Sequence, residues 1–562
     1  MVNKVSLLYK DAGKRLKIEG ENPDFIKDLQ FDEIIKIMTS ESTNINSERV
    51  IISVFSELCQ DADDISYRYD VLQDFIEQPQ MFLDLKSAFD LMIPIERERQ
   101  LSNRRRADVT AEYKLRYAVN MLLGYSSVCK KVGEVLRAYR NKYSSQGLNS
   151  LYEAVFSYVD NENFYKLEKN LLELKKCTQG YIRIKLDAKL DACFKFKDAI
   201  VLDIDNNGYV SKVLEREEYI KACLTKGFRN LRSIGRKSQG SNVIKNIDYI
   251  LEENAKEIKD KTLNGIVQIL ENMIVNISSF LRNLSDEILF YEGAVNLVQT
   301  MKNLGLVTSR AEIAAIEERT FAAEGLYDLS FALYLSEKGY RSPLEKIVTN
   351  DVCIKGEERI QIITGPNQGG KTTYIRAMGI LQILAQAGIP VPALNAVVSP
   401  VDRIFTHFPV DERPESNEGR LGEELARMRV IVENATEHSF VLINEAFAST
   451  NSKEGSIIAQ DILTALAVIG ARCSFVTHLN ELAHKVSSIN KDLEKWGMKC
   501  SRMVNMVAQY EESRDITEED WYGAARRRTY RIVPGAPAKS SFAADIAAQF
   551  KIRYIDFIQK LS

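Results

Sequence analysis

The sequence is poor in the residues that build metal sites and disulfide frameworks. It has only 4 histidines, and its 8 cysteines are scattered without a Cys-x-x-Cys pair. A structural zinc site or a disulfide framework is therefore not expected, and the separate thiols indicate a reduced, cytoplasmic protein. No stretch reaches the roughly 18 apolar residues that a membrane span requires. We expect no membrane partner and, because the N-terminus is polar, no signal peptide.

An excess of charge of one sign is also lacking. Lys and Arg number 75, Asp and Glu number 78, and the net charge is -3. This balance excludes a uniformly basic nucleic-acid-binding protein, so any such surface must be a local basic patch. With 562 residues, of which 45% are hydrophobic, the chain is long enough for roughly three or four domains with their own cores.

Proline and glycine are scarce before about residue 325, as long helices require. The segment Asn246–Lys302 has apolar residues that recur mainly at steps of three and four, and these include Ile250, Leu251, Ile258, Leu263, Ile266 and Ile269. This spacing predicts one long amphipathic helix with those residues on one face. The segment Tyr69–Met92 predicts a helical stretch that is broken or kinked at Pro79.

The region at about 178–245 differs from its surroundings. The runs YIRIKLDAKL and KFKDAIVLDIDNNGYV alternate like strands, and Asn206-Asn207-Gly208 is a turn signal. We interpret the region as a small lobe inserted between long helices. A basic stretch follows in it, and its charged residues are Lys226, Arg229, Arg232, Arg236 and Lys237.

After about residue 325 the pattern changes to short apolar runs separated by helical stretches. The runs at 359–364, 439–444 and 473–478 predict buried parallel strands of an α/β domain. Directly after the first run stands a match to G-x-x-x-x-G-K-[ST], the P-loop motif. Its residues, with the threonine that follows, are Gly365, Pro366, Asn367, Gln368, Gly369, Gly370, Lys371, Thr372 and Thr373.

The P-loop predicts a site for ATP and Mg²⁺. Glycines let backbone N–H groups surround phosphate oxygens, and the following helix directs its positive end at the same anion. Lys371 supplies a cation for the outer phosphates, and the Thr372 hydroxyl can ligate Mg²⁺. We expect Asn367 to contact phosphate or the attacking water.

Polar residues at the ends of the other two strands predict the catalytic groups, because Glu445 follows the run 439–444 and His478 ends the run 473–478. Glu445 can orient and deprotonate the attacking water, and His478 can sense the γ-phosphate. In P-loop ATPases the position before such a glutamate usually holds an aspartate that fixes Mg²⁺ through water, but here it is Asn444. We expect Asn444 and Glu445 to face Mg²⁺ through water, and hydrolysis to be weak or altered because an amide brings no charge.

These segments resemble the MutS family of DNA mismatch-repair ATPases. The resemblance is carried by TGPNQGGKTTYIRAMG (364–379), VDRIFTHF (401–408), NATEHSFVLINEAFASTNSKEG (434–455), FVTHLNEL (475–482) and RTYRIVPGAPAKSSFAADIA (528–547). It implies a homodimeric clamp on mismatched or branched double-stranded DNA, switched by ATP. It also implies that the insert at about 178–245 corresponds to the DNA-gripping clamp, and that its basic residues contact DNA.

The resemblance divides the chain into a mainly α-helical core and lever region at 49–324 and an α/β, ABC-like ATPase domain at 325–562. The N-terminal segment, 1–48, is too short for the family's mismatch-reading wedge with its Phe-x-Glu motif. Four Phe-x-Glu triplets begin at Phe31, Phe55, Phe75 and Phe290, and we interpret them as chance matches. Gly419 stands where the family places a serine that reads the partner's ATP in trans.

Two other functions stay open at this point. The near-neutral charge, the missing wedge and Asn444 also suit a nucleotide-switched interaction protein with weak or no hydrolysis and no role on DNA. An ABC-type or chromosome-maintenance ATPase fits less well, because no long coiled coil is evident and the segment after the P-loop resembles MutS.

Overall fold

The computed structural model describes residues 5–18, 23–104, 110–178, 183–190, 196–205, 240–409, 419–447, 450–495, 500–511 and 527–537. The chain forms two compact units that alternate along the sequence. The first comprises Met1–Val5, Gln80–Asn141 and Ser150–Arg282, and the second comprises Ser6–Pro79, Lys142–Asn149 and Asn283–Ser562. The boundaries near 49 and 325 remain predictions, whereas the second unit contains both N-terminal and C-terminal residues.

Helices dominate the described residues up to 303. They are α1 (Asp24–Asp28), α2 (Asp32–Thr39), α3 (Ser47–Glu57), α4 (Ala62–Glu77), α5 (Pro79–Asp90), α6 (Met92–Arg104), α7 (Ala111–Ala138), α8 (Gln146–Val159), α9 (Glu162–Thr178) and α10 (Gly240–Asn303). The predicted break at Pro79 is confirmed, because α4 ends at Glu77 and Pro79 opens α5. Proline suits that first position, since its missing N–H would have no helical partner there.

Between α9 and α10 lies an antiparallel hairpin of β1 (Arg183–Leu190) and β2 (Phe196–Asp205), as the alternating pattern predicted. The predicted turn at Asn206-Asn207-Gly208 and the basic residues from Lys226 to Lys237 lie outside the described residues. The hairpin is therefore the only part of the predicted insert whose strands can be compared with the sequence pattern.

The long helix predicted at Asn246–Lys302 is confirmed as α10. Of the face predicted for it, Leu263 is buried and Ile266 is half-buried, while the burial of Ile250, Leu251 and Ile258 lies outside the described residues. Leu263, Val267 and Leu270 are buried, at alternating steps of four and three. Ile269 was expected on this face, and that prediction is wrong, because its side chain is 63% exposed. It stands one residue before Leu270 and so points about 100° away around the helix.

A six-stranded sheet is the centre of the second unit. Its strands, in spatial order, are β12 (Arg527–Pro534), β11 (Arg502–Glu511), β6 (Glu358–Thr364), β10 (Arg472–Val476), β9 (Phe440–Asn444) and β8 (Ile404–His407). All neighbours pair in parallel except β12, which is antiparallel to β11. The three predicted parallel strands are thus confirmed, and the structure shows that they are neighbours whose carboxyl ends meet at one edge of the sheet.

Helices cover both faces of this sheet, and a second sheet lies in the same unit. The remaining helices are α11 (Leu329–Glu337), α12 (Lys371–Gln386), α13 (Gly419–Asn434), α14 (Ser452–Ile469) and α15 (Asn480–Lys495). The second sheet has the order β3 (Glu312–Ile313), β7 (Asn395–Val398), β4 (Phe321–Leu326) and β5 (Asn350–Ile354). Within the described ranges, no helix combines the length and apolar character needed to cross a bilayer.

Arg472 ties the two sheets together. It opens β10, is fully buried, and donates hydrogen bonds of 3.0–3.3 Å to the carbonyls of Thr320, Ser399, Pro400 and His438. Thr320 precedes β4 and Ser399 follows β7, so the guanidinium bridges the strands of both sheets. Burial lowers the pKa of Arg472 to about 9, so the backbone carbonyls are its main compensation.

We expect Arg472→Ala to destabilise the second unit by about 3 kcal/mol or more. Truncation leaves the carbonyls of Pro400 and His438 without this donor, at a cost of about 1–3 kcal/mol each, whereas those of Thr320 and Ser399 still accept from the Ser399 N–H and from Gln382. Urea unfolding followed by tryptophan fluorescence and circular dichroism would measure the shift. The matched control is Arg319→Ala, which removes an ion pair with the exposed Glu437 (N–O 2.9 Å). Equal shifts for the two variants would show that Arg472 does not carry this role.

Candidate functional site

The P-loop residues form a tight turn between β6 and α12. Gly365 has φ +138° and Gly370 has φ +88°, which are left-handed conformations that favour glycine. A Cβ atom added to Gly365 would lie 2.7 Å from the Cβ of Ala508, so a side chain has no room there. The order of strand, loop and helix predicted from the motif is confirmed.

Lys371 is turned into this loop. Its Nζ donates to the carbonyl oxygens of Gly365 and Pro366, both at 2.9 Å, and the residue is only 3% exposed. Burial lowers the pKa of Lys371 to about 8, although the Glu445 carboxylate acts in the opposite direction. The Lys371 side chain is therefore held at the loop, and at about pH 8 its charged and neutral forms are about equally populated.

Two pairs of side chains meet at the edge where the parallel strands end. The Thr372 hydroxyl donates to Oδ1 of Asn444 at 3.1 Å, and Nε2 of His478 lies 2.9 Å from Oε1 of Glu445. The hydrogen bond with His478 lowers the pKa of Glu445 against the effect of burial, and Lys371 lowers it further. Glu445 is therefore ionised at neutral pH, as a proton acceptor must be.

The backbone at Glu445 is held in an unusual conformation. Glu445 has φ +51° and Phe447 has φ +62°, which are left-handed values for residues other than glycine. The Glu445 N–H donates to the Val476 carbonyl at 2.9 Å, and Glu424 of α13 accepts from the Phe447 N–H at 2.9 Å. These bonds fix the turn that presents the carboxylate. Glu424 is a positioning residue that sequence reasoning missed.

The remaining predicted residues differ in their distance from the cavity beside the P-loop. Asn367 and Gln368 are exposed at the tip of the loop, and Oε1 of Gln368 accepts from Arg528 at 2.9 Å. Gly419 is the exposed first residue of α13 and does not line the cavity beside the P-loop. The lining residues contributed by the motif are Gln368, Gly369, Gly370, Lys371, Thr372 and Thr373, and Glu445 joins them.

This cavity, of about 370 Å³, continues beyond the P-loop to a wall that sequence reasoning missed. Tyr530, Val348 and Asn350 belong to that wall. Tyr530 is 46% exposed and bulges from β12 with φ +59°. Asn350 holds the bulge, because its amide donates to the Tyr530 carbonyl (3.1 Å) and accepts from the Ile532 N–H (2.7 Å). The sequence around Tyr530 reads as an ordinary strand, so only long-range pairing reveals its place.

The residues at the strand ends fit a magnesium ion. Thr372 and Asn444 present a hydroxyl and an amide oxygen 3.1 Å apart, and the ionised Glu445 follows Asn444. Oxygen donors of this kind are those that Mg²⁺ takes, usually with several waters and substrate phosphates. The donor set therefore fits Mg²⁺, with one carboxylate fewer than an aspartate at position 444 would supply.

Comparison with known proteins agrees with this geometry. A family model described as MutS domain V matches residues 361–531, which include the P-loop, both side-chain pairs and Tyr530. A second, described as MutS2 N-terminal domain, matches residues 60–304. The chain belongs to the MutS family. The resemblance stated from the motifs is thereby confirmed.

Individual members of the MutS family match parts of the chain. Endonuclease MutS2 of Thermus thermophilus is 30% identical over 206 residues, or 37% of this chain and 27% of that protein. MutS protein homolog 4 of Mus musculus is 33% identical over 199 residues, which cover 33% of this chain and 21% of that protein. DNA mismatch repair protein MutS of Lachnoclostridium phytofermentans is 28% identical over 261 residues, which cover 44% of this chain and 27% of that protein. The matched part thus spans about a quarter of these curated relatives.

In this MutS-family chain, we expect the affinity for ATP to fall as the pH rises through about 8. The pKa of Lys371 is about 8, and a bound phosphate favours the ammonium form. Above that pH, binding must take up a proton, so the affinity declines by up to about tenfold per pH unit. Titration with a fluorescent ATP analogue from about pH 7 to about pH 9.5 would measure this slope.

The control for that titration is Lys371→Arg, whose guanidinium keeps its charge throughout the range. Its affinity is expected to change little with pH, whatever its absolute value. The same slope in both proteins would show that another group takes up the proton.

Proposed function

We propose that this chain is an ATP-dependent DNA-binding protein that hydrolyses ATP and acts as a dimeric clamp on mismatched or branched duplexes. The observation that carries the enzymatic part is the pairing of Thr372 with Asn444 and of Glu445 with His478 beside the P-loop cavity. The DNA-binding part rests on membership of the MutS family and on relatives named as DNA mismatch repair proteins.

ATP is proposed to lie along the cavity with its phosphates in the P-loop. The cavity volume, about 370 Å³, is within the range of small-molecule sites. Lys371 would exchange its bonds to the loop carbonyls for bonds to phosphate oxygens. Tyr530 and Val348 supply an aromatic and an aliphatic surface for the base, and Asn350 keeps Tyr530 in place.

Hydrolysis is proposed to proceed by attack of water on the γ-phosphorus. The bond between that phosphorus and the β–γ bridging oxygen breaks, and ADP and inorganic phosphate leave. Glu445 accepts the proton of the attacking water, and His478 orients the carboxylate and contacts the γ-phosphate. Thr372 would hold Mg²⁺ directly, and Asn444 and Glu445 would hold it through water, where the ion would supply positive charge against the phosphates.

We expect Asn444→Asp to increase the hydrolysis rate at low Mg²⁺ concentration by about threefold to tenfold. The change restores a charged oxygen ligand beside Thr372, and Mg²⁺ prefers carboxylates to amides. Initial rates measured across a Mg²⁺ titration would show the increase. Asn434→Asp, at the exposed end of α13, is the matched control. An unchanged or lower rate for Asn444→Asp would show that the amide does not limit metal binding.

DNA recognition by this chain is proposed to use contacts other than a Phe-x-Glu wedge. Phe31, Phe55, Phe75 and Phe290 are each at most 1% exposed, so none of these phenylalanines can stack on a base. We propose that the basic residues of the insert contact backbone phosphates. Such contacts are sequence-blind and weaken with salt.

The experiment that tests this function is steady-state ATP hydrolysis without DNA and with perfect, mismatched and branched duplexes. DNA-stimulated turnover supports the clamp, particularly if changing Lys226, Arg229, Arg232, Arg236 and Lys237 to glutamine removes the stimulation. The second candidate, a nucleotide-switched interaction protein, is favoured by Asn444. ATP binding without turnover and without DNA affinity at low salt would select it.

A further inference from the structure

A short N-terminal segment, Leu29–Phe31, lies against the helix that follows the P-loop. Leu29 is fully buried. A Cβ atom added to Gly379 of α12 would lie 2.6 Å from Leu29 Cδ1 and 2.8 Å from Leu442 Cδ1. The absence of a side chain at position 379 therefore lets Leu29 enter where α12 meets β9. The strand β9 ends at Asn444, so the segment packs against the P-loop helix close to the strand that leads to the second motif of the ATP site.

Gln30 reaches the wall of the ATP cavity through two side chains. The side-chain amide oxygen of Gln30, Oε1, accepts a hydrogen bond from Nη1 of Arg376. Arg376 lies one turn beyond Thr372 on α12. Nε of Arg376 lies 2.9 Å from Oδ2 of Asp328, an ion pair in which Asp328 is fully buried and Arg376 is 12% exposed. Asp328 lines the cavity and caps α11 by accepting from the Phe331 N–H at 3.0 Å.

The ion pair of Arg376 with Asp328 determines the charge on the cavity wall to which Asp328 belongs. Burial raises the pKa of Asp328, whereas Arg376 and the N–H groups of Ser330 and Phe331 lower it. Without Arg376 in place, the carboxylate would lose its main counter-charge. The cap of α11 would weaken with it, and Phe331, which also lines the cavity, would move.

The other side of the segment leads to α10. The rings of Phe31 and Phe55 pack edge to face at 4.9 Å between centroids, and those of Phe55 and Phe290 do so at 6.3 Å. All three phenylalanines are buried, and Phe290 belongs to α10. Residues 29–31 thus contact the P-loop helix on one side and an aromatic row ending at α10 on the other.

We propose that Gln30 and Arg376 are positioning residues for the ATP cavity and that Leu29–Phe31 couples nucleotide occupancy to the packing of α10. This inference rests on the proposed binding of ATP. Closure of the cavity wall on a nucleotide fixes Asp328 and Arg376, and Arg376 fixes Gln30. The adjacent Phe31 transmits the restraint to the aromatic row. Neither residue touches the reacting phosphate, so their loss affects binding more than chemistry.

The test compares two changes at Gln30, which is exposed and can be replaced without loss of the core. Gln30→Leu removes the acceptor oxygen, and Gln30→Glu keeps one. We expect Gln30→Leu to raise the KM for ATP by about fivefold to tenfold with kcat within about twofold, and Gln30→Glu to retain the wild-type KM. Arg319→Ala, which removes a remote ion pair of the same length, should change neither constant.

Hydrogen exchange is a second measurement, and it would show no effect of nucleotide on α2 and α3 if Gln30 only stabilised the fold. A non-hydrolysable ATP analogue should slow exchange in α2 and α3 about threefold or more in the wild type, and much less in Gln30→Leu. Equal KM values for Gln30→Leu and the wild type, or equal protection of the two proteins by the analogue, would overturn this inference but not the proposed function. Absence of ATP binding by the wild type would overturn the proposed function and this inference with it.

Discussion

Replacing Glu445 with glutamine is expected to lower kcat for ATP hydrolysis by about a hundredfold to ten-thousandfold while ATP still binds. The carboxylate is ionised because His478 lies 2.9 Å from it and lowers its pKa. Glutamine has almost the same shape but cannot accept the proton of the attacking water. Single-turnover hydrolysis and a binding titration with the same ATP analogue would separate the two effects.

The control for this change is Glu437→Gln, which removes a carboxylate that pairs with Arg319 away from the cavity. Its kcat should equal that of the wild type. A decrease of less than about threefold in Glu445→Gln would show that another group accepts the proton. In that case His478 would be the next residue to replace.

Replacing Lys371 with alanine is expected to weaken ATP binding by about a hundredfold or more. The buried ammonium is the one cation that the P-loop motif itself provides, and hydrogen bonds from a charged donor to phosphate are worth about 1.5–3 kcal/mol each. Equilibrium binding of the ATP analogue at about pH 7, where Lys371 is protonated, would measure the loss.

Lys371→Ala also frees the carbonyl oxygens of Gly365 and Pro366, so the thermal midpoint should be recorded beside the affinity. A matched lysine is Lys338, which lies over the ring of Tyr334 and does not line the cavity. Lys338→Ala should bind ATP as the wild type does. Unchanged affinity in Lys371→Ala would place the nucleotide outside the P-loop.

The parts of the site that could be predicted from the sequence are those encoded within short segments. Thr372 and Lys371 follow from the P-loop motif, because glycine positions and a following helix fix their place. Glu445 and His478 follow from their positions one and two residues beyond buried parallel strands, whose carboxyl ends meet at one edge. The structure places Nε2 of His478 2.9 Å from Oε1 of Glu445, a contact that the two positions permit but do not specify.

The parts that could not be predicted depend on contacts between distant segments. Asn350 and Tyr530 are 180 positions apart, and β5 and β12 carry no local sign that they meet. The packing of Leu29 against Gly379 is equally long-range, since a glycine within a helix only hints at close approach. Ile269 shows a different limit, because a three-or-four spacing permits two adjacent registers for the buried face.

The length of α10 has a consequence for the two compact units. As one helix of 64 residues it extends about 95 Å, at about 1.5 Å per residue. Phe290, which ends the aromatic row, stands 50 residues from the Gly240 end, or about 75 Å. Residues Gly240–Arg282 of α10 belong to the first compact unit, and Asn283–Asn303 belong to the second. The aromatic row that ends at Phe290 therefore packs on a continuous element to which both units contribute residues.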